Sequence, residues 1–197
     1  NISFIECIVN NSVVGHYAKH LSFEKCIFNY RLDMFNGNVN FSNCIFTHTD
    51  CSGIIYRTFN NTSNVYFNNN IFLNDCRAPG VSYSTFKNNL LVNTSYLNST
   101  NDFDTTNQVL GHLDSVKFVN YDRANGYDHS DNMRLLSSSP GKNAGDDKTD
   151  CGIYGTSLPT KYGWKPSTPH FQILEADDKT SSGKLPVKIQ VEAQPSY

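Results

Sequence analysis

The chain has 197 residues, 38% hydrophobic and 17% charged, with a net charge of −2 and a pI near 6.3. That is enough apolar material for one ordinary domain, or a domain with a small appendage, and it excludes a disordered chain. The weak negative charge, with no basic stripe to displace counterions, argues against a nucleic-acid partner, and no apolar run reaches the length of a membrane span.

Asn, Ser and Thr are conspicuous while Ala, Leu and Glu are scarce. That bias favours strands and turns over helices and predicts an all-β protein. Residue 1 opens inside a strand-like pattern without a starting cap, so the chain reads as a fragment or mature form of something longer. Five related blocks then follow: "FIECIVNN" from Phe4, "FEKCIFNY" from Phe23, "FSNCIFTH" from Phe41, "FNNNIFLN" from Phe67 and "FKNNLLVN" from Phe86. Their Phe residues are spaced 19, 18, 26 and 19 apart. A fixed period near 19 without a helical stripe predicts a solenoid of about five or more coils, in which short parallel strands are joined by Asn-rich corners.

Stacking at the strand spacing of roughly 4.8 Å puts equivalent residues above one another, so Phe is expected on Phe and Ile on Ile. Asn43, Asn69 and Asn88 sit at the corner and are expected to form an amide ladder, since Asn tolerates left-handed backbone. Cys7, Cys26 and Cys44 share the next column and read as a buried file of free thiols. One feature conflicts with alternation: Ile45 and Phe46, like Ile71 and Phe72, are both apolar. Either the corner turns both inward, or one column forms an outer stripe that another segment covers.

Cys51 and Cys76 follow the same strand in adjacent coils and are the expected disulfide pair. The cysteines form no CxxC pairs and the histidines are scattered, which disfavours zinc. Residues 101–155 are expected to hold the last irregular coils and a cap for the open end of the core. Residues 156–169, rich in Pro and Gly, read as a linker. Within 170–197, "HFQILEAD" and "KLPVKIQVEA" alternate around "DKTSSG" and predict a β-hairpin, docked on the coils or opening a truncated module.

The block Phe-x-Asn-Cys/Asn-x-Phe resembles the coil of right-handed parallel β-helix proteins, the pectin-lyase-like superfamily. The stretch from Val116 to Gly155 is similar to the ending of many bacterial secreted β-helix proteins, through Phe118-Val119-Asn120, Arg134-Leu135, Ser139-Pro140, Ala144-Gly145 and Asp150-Cys151-Gly152-Ile153-Tyr154-Gly155. Over residues 1–155 this resemblance implies a right-handed β-helix and a secreted, periplasmic or cell-surface location. It does not imply one activity, because the superfamily hosts lyases, hydrolases, epimerases and adhesins.

Candidate chemistry is sparse. A lyase resembling the superfamily would place an Arg or Lys base and an acidic calcium cluster on the long face of the coil. Asp33, Arg31 and Arg57 are the candidate catalytic residues there. Glu6 and Glu24 fall in corner columns and read as solvated charges. Asp146, Asp147 and Asp150 in "GDDKTD" form a candidate calcium loop, read more simply as a solvated turn. Tyr17, Tyr30, Tyr56 and Tyr83 lie between the Phe blocks and are candidates for stacking on sugar rings. The expected function is a surface β-helix without its own catalysis that binds polysaccharide or acts as a scaffold. The alternatives are a polysaccharide lyase or glycoside hydrolase, and an adhesin or phage spike component.

Overall fold

The leading strands of the first four repeats carry an apolar residue at every second position, which a pleated strand turns to one face. A computed structural model describes residues 1–14, 20–30, 32–35, 37–47, 55–58, 64–73, 83–93, 100–122, 127–128, 130–157, 160, 170–176 and 187–192. In it the leading strands are β1 (Ile2–Ile5), β4 (His20–Glu24), β7 (Asn38–Ser42), β10 (Val65–Asn68), β12 (Ser84–Lys87) and β14 (Asp102–Phe103). They form one six-stranded parallel sheet in chain order. A second six-stranded sheet holds β2 (Ile8–Val9), β5 (Ile27–Phe28), β8 (Ile45–Phe46), β11 (Ile71–Phe72), β13 (Leu90–Leu91) and β15 (Gln108–Val109). A third holds β3 (Val13–Val14), β6 (Leu32–Phe35) and β9 (Ile55–Thr58). Among the described residues, three turns therefore carry a strand in all three sheets, and three further rungs extend the first two. The fold is an all-β parallel solenoid.

Register produces the core. Phe4, Phe23, Phe41, Phe67 and Phe86 stack in file with ring centroids 4.9, 5.1, 5.1 and 4.6 Å apart. Phe28, Phe46 and Phe72 make a second file at 5.0 and 4.7 Å, and the two files meet edge to face. Each such ring pair adds about 0.5–1.5 kcal/mol to the burial of the rings themselves.

The doubled apolar columns are resolved by the second sheet. Phe46 and Phe72 turn inward, while Ile45 and Ile71 point outward and are nevertheless fully buried. Their cover is the segment around Gly152, where an added Cβ would lie 2.8 Å from Ile71 Cδ1 and 3.1 Å from Ile45 Cγ1. Gly152 also has a φ of +80°, so both space and backbone require glycine. One rung further, Gly141 rests on Leu90, and Gln108 Nε2 donates to Pro140 O at 3.3 Å. The expected cap thus includes a stretch that runs back along the flank of the solenoid. Before it, β16 (Phe118–Asn120) pairs antiparallel with β17 (Asn132–Leu135).

Glu6, Lys25, Asn43, Asn69 and Asn88 occupy the corner, with φ between 51° and 59°. Their N–H groups bond to the next rung, as Lys25 N to Ser42 O at 3.0 Å and Asn43 N to Asn68 O at 3.0 Å. Glu6 is not simply solvated, since it pairs with the buried Lys25 at 3.2 Å. The amide ladder does not lie in this column. It runs one residue later, through Asn70, Asn89 and Asn107, which the left-handed corner returns to the interior. Asn70 Nδ2 donates to Asn89 Oδ1 at 3.0 Å, and Asn89 Nδ2 to Asn107 Oδ1 at 2.9 Å. Each amide also donates to the Phe carbonyl of the rung before: Phe41, Phe67 and Phe86, at 2.9, 2.9 and 2.7 Å.

Cysteine continues the same column. Cys26 and Cys44 thiols lie 3.5 Å from the carbonyls of Phe4 and Phe23, the positions that the amides serve higher up. Here Cys is a shorter, weaker donor standing where Asn stands elsewhere.

Residues Thr160–Tyr197 form a compact unit separate from Asn1–Pro159. In it β18 (His170–Ala176) and β19 (Val187–Glu192) pair antiparallel with a bulge between Phe171 and Ile173, as the alternation predicts.

Replacing Asn89 with Ala leaves the Phe67 carbonyl and the Asn70 amide without their partner inside the core, a loss of about 2–3 kcal/mol in urea unfolding. Cys44→Asn extends the amide ladder by one rung, and its stability is expected within about 1 kcal/mol of the parent.

Candidate functional site

The outer face of the first sheet follows from the same alternation. Since Val39, Phe41, Val65 and Phe67 point inward, the residues between them point out. Register aligns Ser3, Ser22, Asn40, Tyr66 and Thr85 in one outward column. His20 and Asn38 are paired in a parallel column, which Asn64 and Tyr83 continue as the residues preceding Val65 and Ser84. Asn64 Nδ2 reaches Asn38 Oδ1 at 3.5 Å along it.

Tyr66 and Tyr83 are 46% and 49% exposed. They sit one rung and two residues apart, roughly 8 Å from the strand spacing and rise. Tyr83 has a φ of 56°, the left-handed backbone that the corner residues also take. Its N–H is tied to Thr100 O at 3.1 Å. At the other end of the face, Asn1, Ile2, Ser3, His20, Leu21 and Ser22 line a groove of about 400 Å³. Tyr66 escaped the sequence reading although Val65 and Phe67 on either side mark it as outward.

The candidate catalytic residues fall on the third sheet. Backbone register pairs Asp33 of β6 with Arg57 of β9. Arg31 and Tyr17 lie outside the described residues, as do Cys51 and Cys76. Tyr56 belongs to β9, but its side chain, like those of Asp33 and Arg57, lies outside the description. Tyr30 follows β5 at a turn and is 37% exposed.

The acidic loop lies at the surface, with Asp146 and Asp147 exposed and Asp150 buried, and its carboxylates are bonded to the protein. Asp146 accepts from Asn69 Nδ2 at 2.7 Å and Asn68 Nδ2 at 2.8 Å, and its own N–H donates to Asn69 Oδ1 at 3.0 Å. Those amide bonds hold its carboxyl below the usual carboxylate range. Asp147 caps Thr149, and Asp150 takes Lys142 Nζ at 2.7 Å and the Asn143 N–H. Each carboxylate thus has its own protein donors. Among the described residues, no group of three or more His, Cys, Asp or Glu side chains is placed to hold a metal ion.

Among the described residues, the thiols of Cys7, Cys26, Cys44 and Cys151 are free and screened from water to different degrees. Burial pushes Cys44 well up, and Cys151 up to about 12 beside Asp150, Asp147 and Asp146. Cys7, half-buried, is raised by burial and by Cys26. Thiolate is the nucleophile, so the Cys7, Cys44 and Cys151 environments are those of core residues. No helix among the described residues is long and apolar enough to cross a membrane.

Comparison with family models, with curated proteins and with solved structures gave no match. The class of protein defined here is therefore that of the fold, a parallel β-solenoid with a buried Asn ladder.

Asp146 has a depressed carboxyl pKa when folded, so its contribution to stability is present above the unfolded value of about 3.9 and is lost as pH falls through the folded one. Asp146→Asn is expected to lower the urea midpoint at pH 7, and the gap from the parent should narrow toward pH 3.

Proposed function

We propose that this protein is a non-catalytic, secreted or cell-surface β-solenoid that binds polysaccharide on the outer face of its first sheet and serves as a rigid surface scaffold. The observation that carries this reading is the pair Tyr66 and Tyr83, exposed together on a stiff sheet with Asn and Thr side chains around them. Aromatic faces stack on the C–H faces of sugar rings, and amides and hydroxyls supply the hydrogen bonds that sugar hydroxyls require. A solenoid holds such groups at fixed spacing without ordering a loop on binding, which limits the entropic cost. The secreted location rests on the resemblance of the coil block and of Val116 to Gly155 to the pectin-lyase-like superfamily, together with the strapped ending that this stretch makes.

A second reading, a polysaccharide lyase or glycoside hydrolase, is favoured by one observation, the pairing of Asp33 with Arg57 on neighbouring strands. A carboxylate and a guanidinium at adjacent rungs are raw material for proton abstraction beside a stabilised anion.

Pull-down on insoluble polysaccharides separates the two. Retention that falls about tenfold in Tyr66→Ala and Tyr83→Ala, with no unsaturated product absorbing in the ultraviolet, is the expected result. Product formation that disappears in Asp33→Ala establishes the enzyme instead.

A further inference from the structure

The outer face of the first sheet also carries information about which glycan fits it. Its central column is uncharged from the first rung to the fifth: Ser3, Ser22, Asn40, Tyr66 and Thr85. The neighbouring column of His20, Asn38, Asn64 and Tyr83 carries no carboxylate and no Lys or Arg. Charge on this face is confined to its margins, with Glu24 and Lys87 in the column nearest the corner and Asp102 at the sixth rung. Lys25, the other cation near that corner, is buried against Glu6.

A uronate-rich polymer carries a carboxylate on most of its rings, and its recognition calls for Arg or Lys beside those groups. The margins offer one cation, Lys87, against the carboxylates of Glu24, Asp102, Asp104 and Asp146, so an acidic chain gains little there and is repelled toward the sixth rung. A neutral glycan needs only hydroxyl and amide partners and flat aromatic rings, which is what the central columns provide.

The long dimension of the site is set by where its two ends lie. The groove at Ser3, His20 and Ser22 is lined by residues of the first two rungs, and the tyrosines stand on the fourth and fifth. The second and fifth rungs are separated by roughly 14 Å at the strand spacing. Asn38, Asn40 and Asn64 occupy the rungs between, so the polar groups form an unbroken track across the strands.

We infer that the face takes a neutral, extended oligosaccharide that lies along the solenoid axis, with its rings on Tyr66 and Tyr83 and its other end in the groove at His20 and Ser22. The inference rests on the glycan-binding reading above and names the ligand class and its direction. Recognition without a charged partner makes affinity nearly independent of ionic strength. Occupation of several rungs makes it depend on chain length.

The test is isothermal titration of the whole chain with cellohexaose, xylohexaose and mannohexaose, with the disaccharide of each, and with hexagalacturonate, at low and high salt. The expected result is binding of at least one neutral hexasaccharide, unchanged by salt, with its disaccharide weaker by about tenfold or more and the same loss in Tyr66→Ala. Circular dichroism shows that the variant keeps the fold. Tighter binding of hexagalacturonate, weakened by salt, overturns the neutral class while leaving the glycan reading intact. A disaccharide that binds as tightly as its hexasaccharide overturns the axial placement. Failure of every sugar, acidic and neutral, overturns the glycan reading itself.

Discussion

Everything in the first unit depends on in-register parallel stacking at the strand spacing. Once the backbone of one rung bonds to the next, each side chain is held about 4.8 Å from its equivalents and has to be compatible with them. Phenylalanine satisfies that demand by ring stacking, and a second file crosses it edge to face, so the interior is filled by two interlocked columns. Polar groups in the interior satisfy it only as a chain of donors and acceptors. Asn meets the requirement because its amide both gives and receives, and a buried group left without a partner would cost more than the bond returns.

The same constraint explains why the corner and the ladder are different residues. A left-handed residue reverses the path of the chain within a single step, so its own side chain is thrown outward and its successor is drawn in. Asn69 shows the outward role, bonded to Asp146 from 77 residues along the chain, and Asn70 the inward one, bonded to Asn89. Glu6 and Lys25 take the strained backbone in the first two rungs and use their charges on each other across the gap.

Much of this was legible in the sequence, for identifiable reasons. The Phe and Ile columns repeat with a period that only a solenoid reproduces, so the file of rings could be read directly. The ladder was placed one residue early because the fourth and fifth blocks read Asn-Asn, and the repeat alone does not say which of the two faces in. The deciding signal was present: the second of these columns reads Cys in the first three blocks, and cysteine is a buried residue. Tyr66 was equally readable from the alternation of its neighbours. The clasp of Asp146 on Asn68 and Asn69 was not, since no local pattern reports a contact between such distant parts of the chain. The cover over Ile45 and Ile71 was foreseen as one of two options, but the segment that supplies it was not.

That cover changes how the solenoid should come apart. A stack in which each turn touches only its neighbours unravels turn by turn, from whichever end is looser. Here a single length of backbone is fastened to several turns, through Gly141 on Leu90, Asp146 on Asn69 and Gly152 on Ile71 and Ile45. Opening any one of those rungs means lifting the fastening from the others, so the third to fifth rungs melt as one block.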